Sequence, residues 1–109
     1  MDIIPVILES PYKGEVARNE AYAKRCMRDS LNRGEAPFVS HMLYTRFLDD
    51  TNAAERLLGM TAGFAWIAPS KKTVAYVDYG VSSGMEEGIS LARGMGHDVE
   101  YREIGKNQD

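Results

Sequence analysis

Ile3, Ile4, Val6, Ile7 and Leu8 form a short apolar run rich in β-branched residues, the pattern of a strand buried on both faces. Turn chemistry follows in Glu9-Ser10-Pro11-Tyr12-Lys13-Gly14. From Glu15 to about Arg33 the apolar spacing becomes helical through Val16, Ala23, Met27 and Leu31, and Gly34 stands where a helix commonly ends. Pro37 to Ser40 reads as a second short strand. Asn52 with Glu55 has capping spacing for a helix running to about Ile67, and Pro69 closes that segment. Thr73 to Val77 is again β-branched and reads as a third strand. Ser83-Gly84-Met85-Glu86 fits a capping box that opens a helix to about Met95, and Gly96 ends it. Val99 to Arg102 makes a last strand, and residues 105–109 are expected to fray.

Strands that alternate with helices of this length imply right-handed βαβ units and a parallel sheet covered on both faces. The expected fold is α/β, a small flavodoxin-like or Rossmann-like three-layer domain. Its sheet has about four strands in the order 2-1-3-4. Ligands of such sheets bind outside the carboxyl ends of the strands, near the point where strand order reverses. The loops Ser10 to Gly14, Ser40 to Leu43 and Asp78 to Met85 converge there. The 109 residues fit one domain over 1–109, with no repeat, low-complexity tract or linker.

Composition narrows the classes of partner. A formal net charge of −3 argues against nucleic acid, which needs a positive surface. Arg18, Lys24, Arg25, Arg28 and Arg33 spread around one helix among Glu20 and Asp29, as a solvated face does. Cys26 is the only cysteine, so an internal disulfide and multi-cysteine zinc sites are excluded, which suits a reducing cytoplasm. No secretory signal is visible at Met1. The longest apolar tract, Leu57 to Ala68, is too short and too polar to span a membrane. A small core makes a homodimer or larger homo-oligomer an expected state.

Gly80-Val81-Ser82-Ser83-Gly84 matches the G-x-S-x-G of a nucleophile elbow, but an acid and a later histidine suitably placed are missing. The same turn suits another task. A helix N-terminus offers free N–H groups and a partial positive charge to a phosphate, carboxylate or hydroxyl, and Gly80 and Gly84 permit close approach. Asp78, at a strand end, is a candidate acceptor for sugar hydroxyls and equally a turn aspartate. Tyr12, Tyr44 and Trp66 offer rings for a base, although isolated aromatics are more often core or rim residues. Ser40 and His41 end the second strand at the cleft. No set of metal ligands and no cofactor motif is apparent.

These segments resemble the nucleoside 2-deoxyribosyltransferase-like superfamily, most of all its small uncharacterised phage and bacterial members. The residues that carry the resemblance are Glu9-Ser10-Pro11-Tyr12 with Asn19, Arg33-Gly34-Glu35-Ala36-Pro37-Phe38-Val39-Ser40-His41, and Asp78-Tyr79-Gly80-Val81-Ser82-Ser83-Gly84-Met85, continuing through Gly88, Ala92 and Gly96. In the enzymes of that superfamily a glutamate on the last helix attacks the sugar C1. The resemblance places Gly88 at that glutamate position. Glu86 and Glu87 lie just upstream, and helical rotation of ~100° per residue turns them away from it.

The expectation is therefore a domain that binds a nucleoside, nucleotide or ADP-ribose-like molecule without processing it. In a phage such a protein would sequester a nucleotide-type defence signal. The expected contacts are Ser10, Pro11, Tyr12, Ser40, His41, Asp78, Gly80, Ser82, Ser83, Gly84 and Met85. The rival is an N-glycosidase or deoxyribosyltransferase using Glu86 or Glu87. A third class is an interaction protein with an empty cleft.

Overall fold

The computed structural model describes residues 2–106. Its elements in chain order are β1 (Ile4–Glu9), α1 (Val16–Asn32), β2 (Glu35–Phe38), α2 (Ala53–Phe64), β3 (Thr73–Tyr76), α3 (Ser83–Gly94) and β4 (Val99–Arg102), with two 3-10 turns at Ser40–Met42 and Tyr44–Arg46 between β2 and α2. The four strands are parallel and run in the order β2-β1-β3-β4. Both the architecture and the strand order agree with the sequence pattern.

Alternation along β1 decides what each face receives, because successive side chains point to opposite sides of a sheet. Val6 and Leu8 pack with Tyr22, Cys26, Val74 and Tyr76 under α1. Ile7 turns to the other face and packs with Ile67 and Ala92 beside α2 and α3. Ala75, Met85 and Ile89 complete that second layer. Glu9 follows Ile7 by two positions, so the alternation carries its side chain to the α3 face.

Under α1 the core holds a polar clamp between the two edge strands. Arg102 of β4 donates to Glu35 of β2 through Nη1–Oε1 at 2.8 Å and Nη2–Oε2 at 2.7 Å. Its Nη1 also donates to the Tyr76 hydroxyl at 2.9 Å, and Ser30 donates to Glu35 at 2.8 Å. Both ends of the clamp are buried. The guanidinium beside Glu35 holds that carboxyl down at about 2, against an ordinary 4.5.

Three details differ from the sequence expectation. Strand β2 begins at Glu35 and ends at Phe38, earlier than Pro37 to Ser40. Gly34, at φ +84°, lets the chain leave α1 and enter the sheet at once. Helix α3 is capped by Ser82, whose Oγ accepts from the Met85 amide at 3.2 Å, so the cap lies one residue before the expected Ser83–Glu86 box. Gly105 and Lys106 are also held rather than frayed. The Gly105 amide donates to Asp78 Oδ2 at 2.6 Å, and Arg25 donates to the carbonyls of Gly105 and Lys106 at 2.9 Å each. The remainder of that tail, 107–109, lies outside the described residues.

Candidate functional site

The carboxyl ends of β1, β2 and β3 open into a cleft of about 180 Å³, room for one small molecule. The loop after β1, the 3-10 turns, one side of α2 and the first turn of α3 line it. From the expected set these elements bring together Ser10, Tyr12, Ser40, His41, Ser82, Ser83, Gly84 and Met85.

Pro11, Asp78 and Gly80 do not line the cleft. Asp78 is engaged elsewhere: its carboxylate accepts from the Tyr22 hydroxyl and from the amides of Ile104 and Gly105, tying β3 to α1 and to the segment after β4. Of the two glutamates named for the rival reading, Glu87 reaches the cleft and Glu86 does not. Tyr44 lines it, whereas Trp66 stacks on Phe38 with centroids 4.9 Å apart. The nucleophile-elbow reading finds no partner. Ser82 serves as the helix cap, and His97 is bonded to Thr73 Oγ1 at 2.9 Å and the Ser70 carbonyl at 2.8 Å.

One wall is a pair of rings. Tyr12 and His41 stack with centroids 5.5 Å apart and planes 27° from parallel. Buried Ser10 fixes the imidazole through a 3.0 Å bond between Oγ and Nε2. Burial pushes the His41 pKa down to about 4, so the ring is neutral at pH 7, and its Nδ1 has no hydrogen-bond partner. Helix α2 reaches this wall at Gly63, where an added Cβ would stand 2.9 Å from the Ser40 Cβ. Gly63→Ala is therefore expected to cost about 1–3 kcal/mol by overpacking, read as a lower denaturation midpoint. An unchanged midpoint would mean that α2 shifts freely.

Pattern reading missed the residue on the floor. The Glu9 carboxyl lies over the Gly88 backbone on α3, with its Cδ 2.8 Å from where a Gly88 Cβ would be. Its Oε2 lies closer still, so a side chain at 88 would displace the carboxyl from this position. Desolvation alone raises its pKa to about 8, and no cation or donor offsets that burial. Glu9 is thus largely a neutral acid at pH 7. The missed signal is the alternation itself: a carboxylate two positions after Ile7 faces inward on a buried strand. Among the described residues no His, Cys, Asp and Glu side chains group closely enough to hold a metal ion. No helix among them is long and apolar enough to cross a membrane.

The 2-1-3-4 parallel sheet with a cleft at its carboxyl edge, floored by the last helix, matches the fold of a nucleoside deoxyribosyltransferase. The solved 2-deoxyribosyltransferase of the psychrotolerant bacterium Bacillus psychrosaccharolyticus, a biocatalyst for the synthesis of antiviral and antitumoral nucleosides, superposes with a TM-score of 0.66. The match covers 96% of this chain and 76% of that one at 15% identity, a likeness of fold. The chain belongs to a family known as a domain of unknown function (DUF7768), whose model matches residues 4–102. No curated protein matches it.

Proposed function

We propose that the cleft binds a nucleoside or nucleoside-like small molecule. The observation that carries this reading is the combination of place and lining. A stacked Tyr12–His41 wall offers a flat surface to a base, and the first turn of α3 at Ser83 and Gly84 offers backbone N–H groups to a hydroxyl or phosphate. A floor with a neutral acid and a neutral imidazole favours a ligand of low charge. Binding without processing was expected because Gly88 leaves α3 with no carboxylate at the superfamily's position.

A melting-shift screen of ribonucleosides, 2′-deoxyribonucleosides and their 5′-monophosphates tests the reading. A ligand at one hundred times its Kd adds about 2.7 kcal/mol of stability, a shift of several degrees. No response from any of them would favour the interaction protein with an empty cleft.

A further inference from the structure

Resting on the reading of the cleft as a nucleoside site, we infer that Glu9 supplies from β1 the nucleophilic carboxylate that α3 lacks at Gly88, and that the cleft hydrolyses the N-glycosidic bond.

The argument is one of occupied volume. A glutamate at 88 would send its carboxylate into the cleft from a Cβ on α3. Here that Cβ is absent, and the Glu9 carboxyl fills the space it would take, 2.8 Å from Cδ to the Cβ position. Glycine at 88 leaves the Glu9 carboxyl free to lie in that space. The two residues form one arrangement, in which the carboxylate enters the same place from the neighbouring layer. A carboxyl held in a desolvated, partly open cleft with no hydrogen-bond partner among the described residues costs stability, and such a cost is characteristic of functional groups rather than structural ones. A purely structural role has nothing to act through, since Glu9 clamps no donor, caps no helix and pairs with no cation among the described residues. Of the other acidic residues that line the cleft, Glu87 is exposed, Asp50 is engaged by Lys13 and Arg56, and Glu55 accepts from the Asp49 amide at 2.7 Å.

The step balances with water as the only co-reactant. A Glu9 carboxylate oxygen bonds to C1′ as the C1′–N bond breaks. The bonding pair leaves with the base, which takes a proton from solvent. Water then adds to C1′, and the ester C1′–O bond breaks with its pair returning to Glu9. The proton released by that water replaces the one taken in the first step. The groups that line the cleft with Glu9 are neutral His41 with Ser10, the hydroxyls of Ser82 and Ser83, the rings of Tyr12 and Tyr44, and the side chains of Glu55 and Glu87. At the rim, Asp50 lies 3.6 Å from Lys13 and 3.9 Å from Arg56, which leaves Glu9 without a neutralising cation. The attacking form is the ionised one, so kcat/KM rises with pH to a limb near 8.

The test is release of free base, followed by chromatography, from the panel of ribonucleosides, 2′-deoxyribonucleosides and 5′-monophosphates. The wild type is expected to release base from at least one of them. Glu9→Gln is expected to lose roughly 100-fold or more, with Glu86→Gln unchanged. Glu9→Ala combined with Gly88→Glu, which returns the carboxylate to α3, is expected to recover part of the rate. A 2′-fluoroarabinosyl nucleoside should leave a glycosyl ester on the peptide that carries Glu9. Base release that survives Glu9→Gln overturns the inference. A panel member that raises the melting temperature while none is cleaved also overturns it, and leaves the binding reading intact. No shift and no release removes both.

Discussion

Arg102→Ala is expected to lower folding stability by about 3 kcal/mol, measured by urea denaturation at pH 7, because it leaves the buried Glu35 charge with only Ser30 at 2.8 Å and the partly exposed Lys72 at 3.5 Å. Arg102 and Glu35 have side chains only 4% and 6% exposed, and water cannot take over from the lost partner. Replacing both by apolar residues should be milder than replacing Arg102 alone, since no uncompensated charge then remains. A double variant as unstable as the single one would mean that packing of the guanidinium, not its charge, carries the effect. The acid limb has a definite sign. The folded Glu35 carboxyl titrates near 2 and the unfolded one near 4.5. Its contribution is fully present above about pH 4.5 and is lost as pH falls through 2.

Glu9→Gln should act on stability in the opposite sense, raising it at alkaline pH. Folded Glu9 titrates near 8 and unfolded Glu9 near 4.5, so between those values the folded chain holds the extra proton. Wild-type stability therefore declines as pH rises from about 4.5 to 8, by an amount on the order of 3 kcal/mol once the partly open cleft is allowed for. The uncharged amide has no such slope. The two proteins are expected to melt together near pH 5, to diverge as pH rises to 8 and to keep a constant gap above it, with the variant higher. Parallel melting curves from pH 5 to 9 would show that the Glu9 carboxyl is well solvated. A gain in stability coupled to a loss of base release is the pattern of a group kept for chemistry.

The sheet order was legible because each strand is short, β-branched and separated from the next by a helix-period segment. Helix ends were legible to within a few residues, and the Asn52 cap on α2 forms as its position suggests, accepting from the Ala54 amide at 3.0 Å and the Glu55 amide at 3.1 Å. Local pattern could not choose between Ser82 and Ser83 as the α3 cap, since both precede the helical spacing and only the fold decides which backbone turns first. Half of the cleft could be read from loops known to converge at a switch point. Asp78 looked like a site residue for the same reason, but its acceptors are taken by Tyr22 and by the segment after β4, contacts 56 and 26 residues away along the chain. Glu9 was hidden by the reverse error. It sits in a stretch of turn chemistry, and only its packing against a helix far along the chain shows that it belongs to the site. The missing carboxylate at 88 could be noticed in one dimension, but its replacement required three.

The clamp beneath α1 also bears on how long the folded state lasts. Glu35 and Arg102 are 67 residues apart and sit on opposite edges of the sheet, so their bonds close only after every intervening strand has docked. A contact that forms after the folding barrier slows unfolding without hastening folding, and Arg102→Ala is expected to show this as a faster unfolding rate with an unchanged folding rate in urea. The clamp thus acts as a latch on the finished sheet: it does little to hasten assembly, and it lengthens the lifetime of a small domain whose cleft holds a group that works against stability.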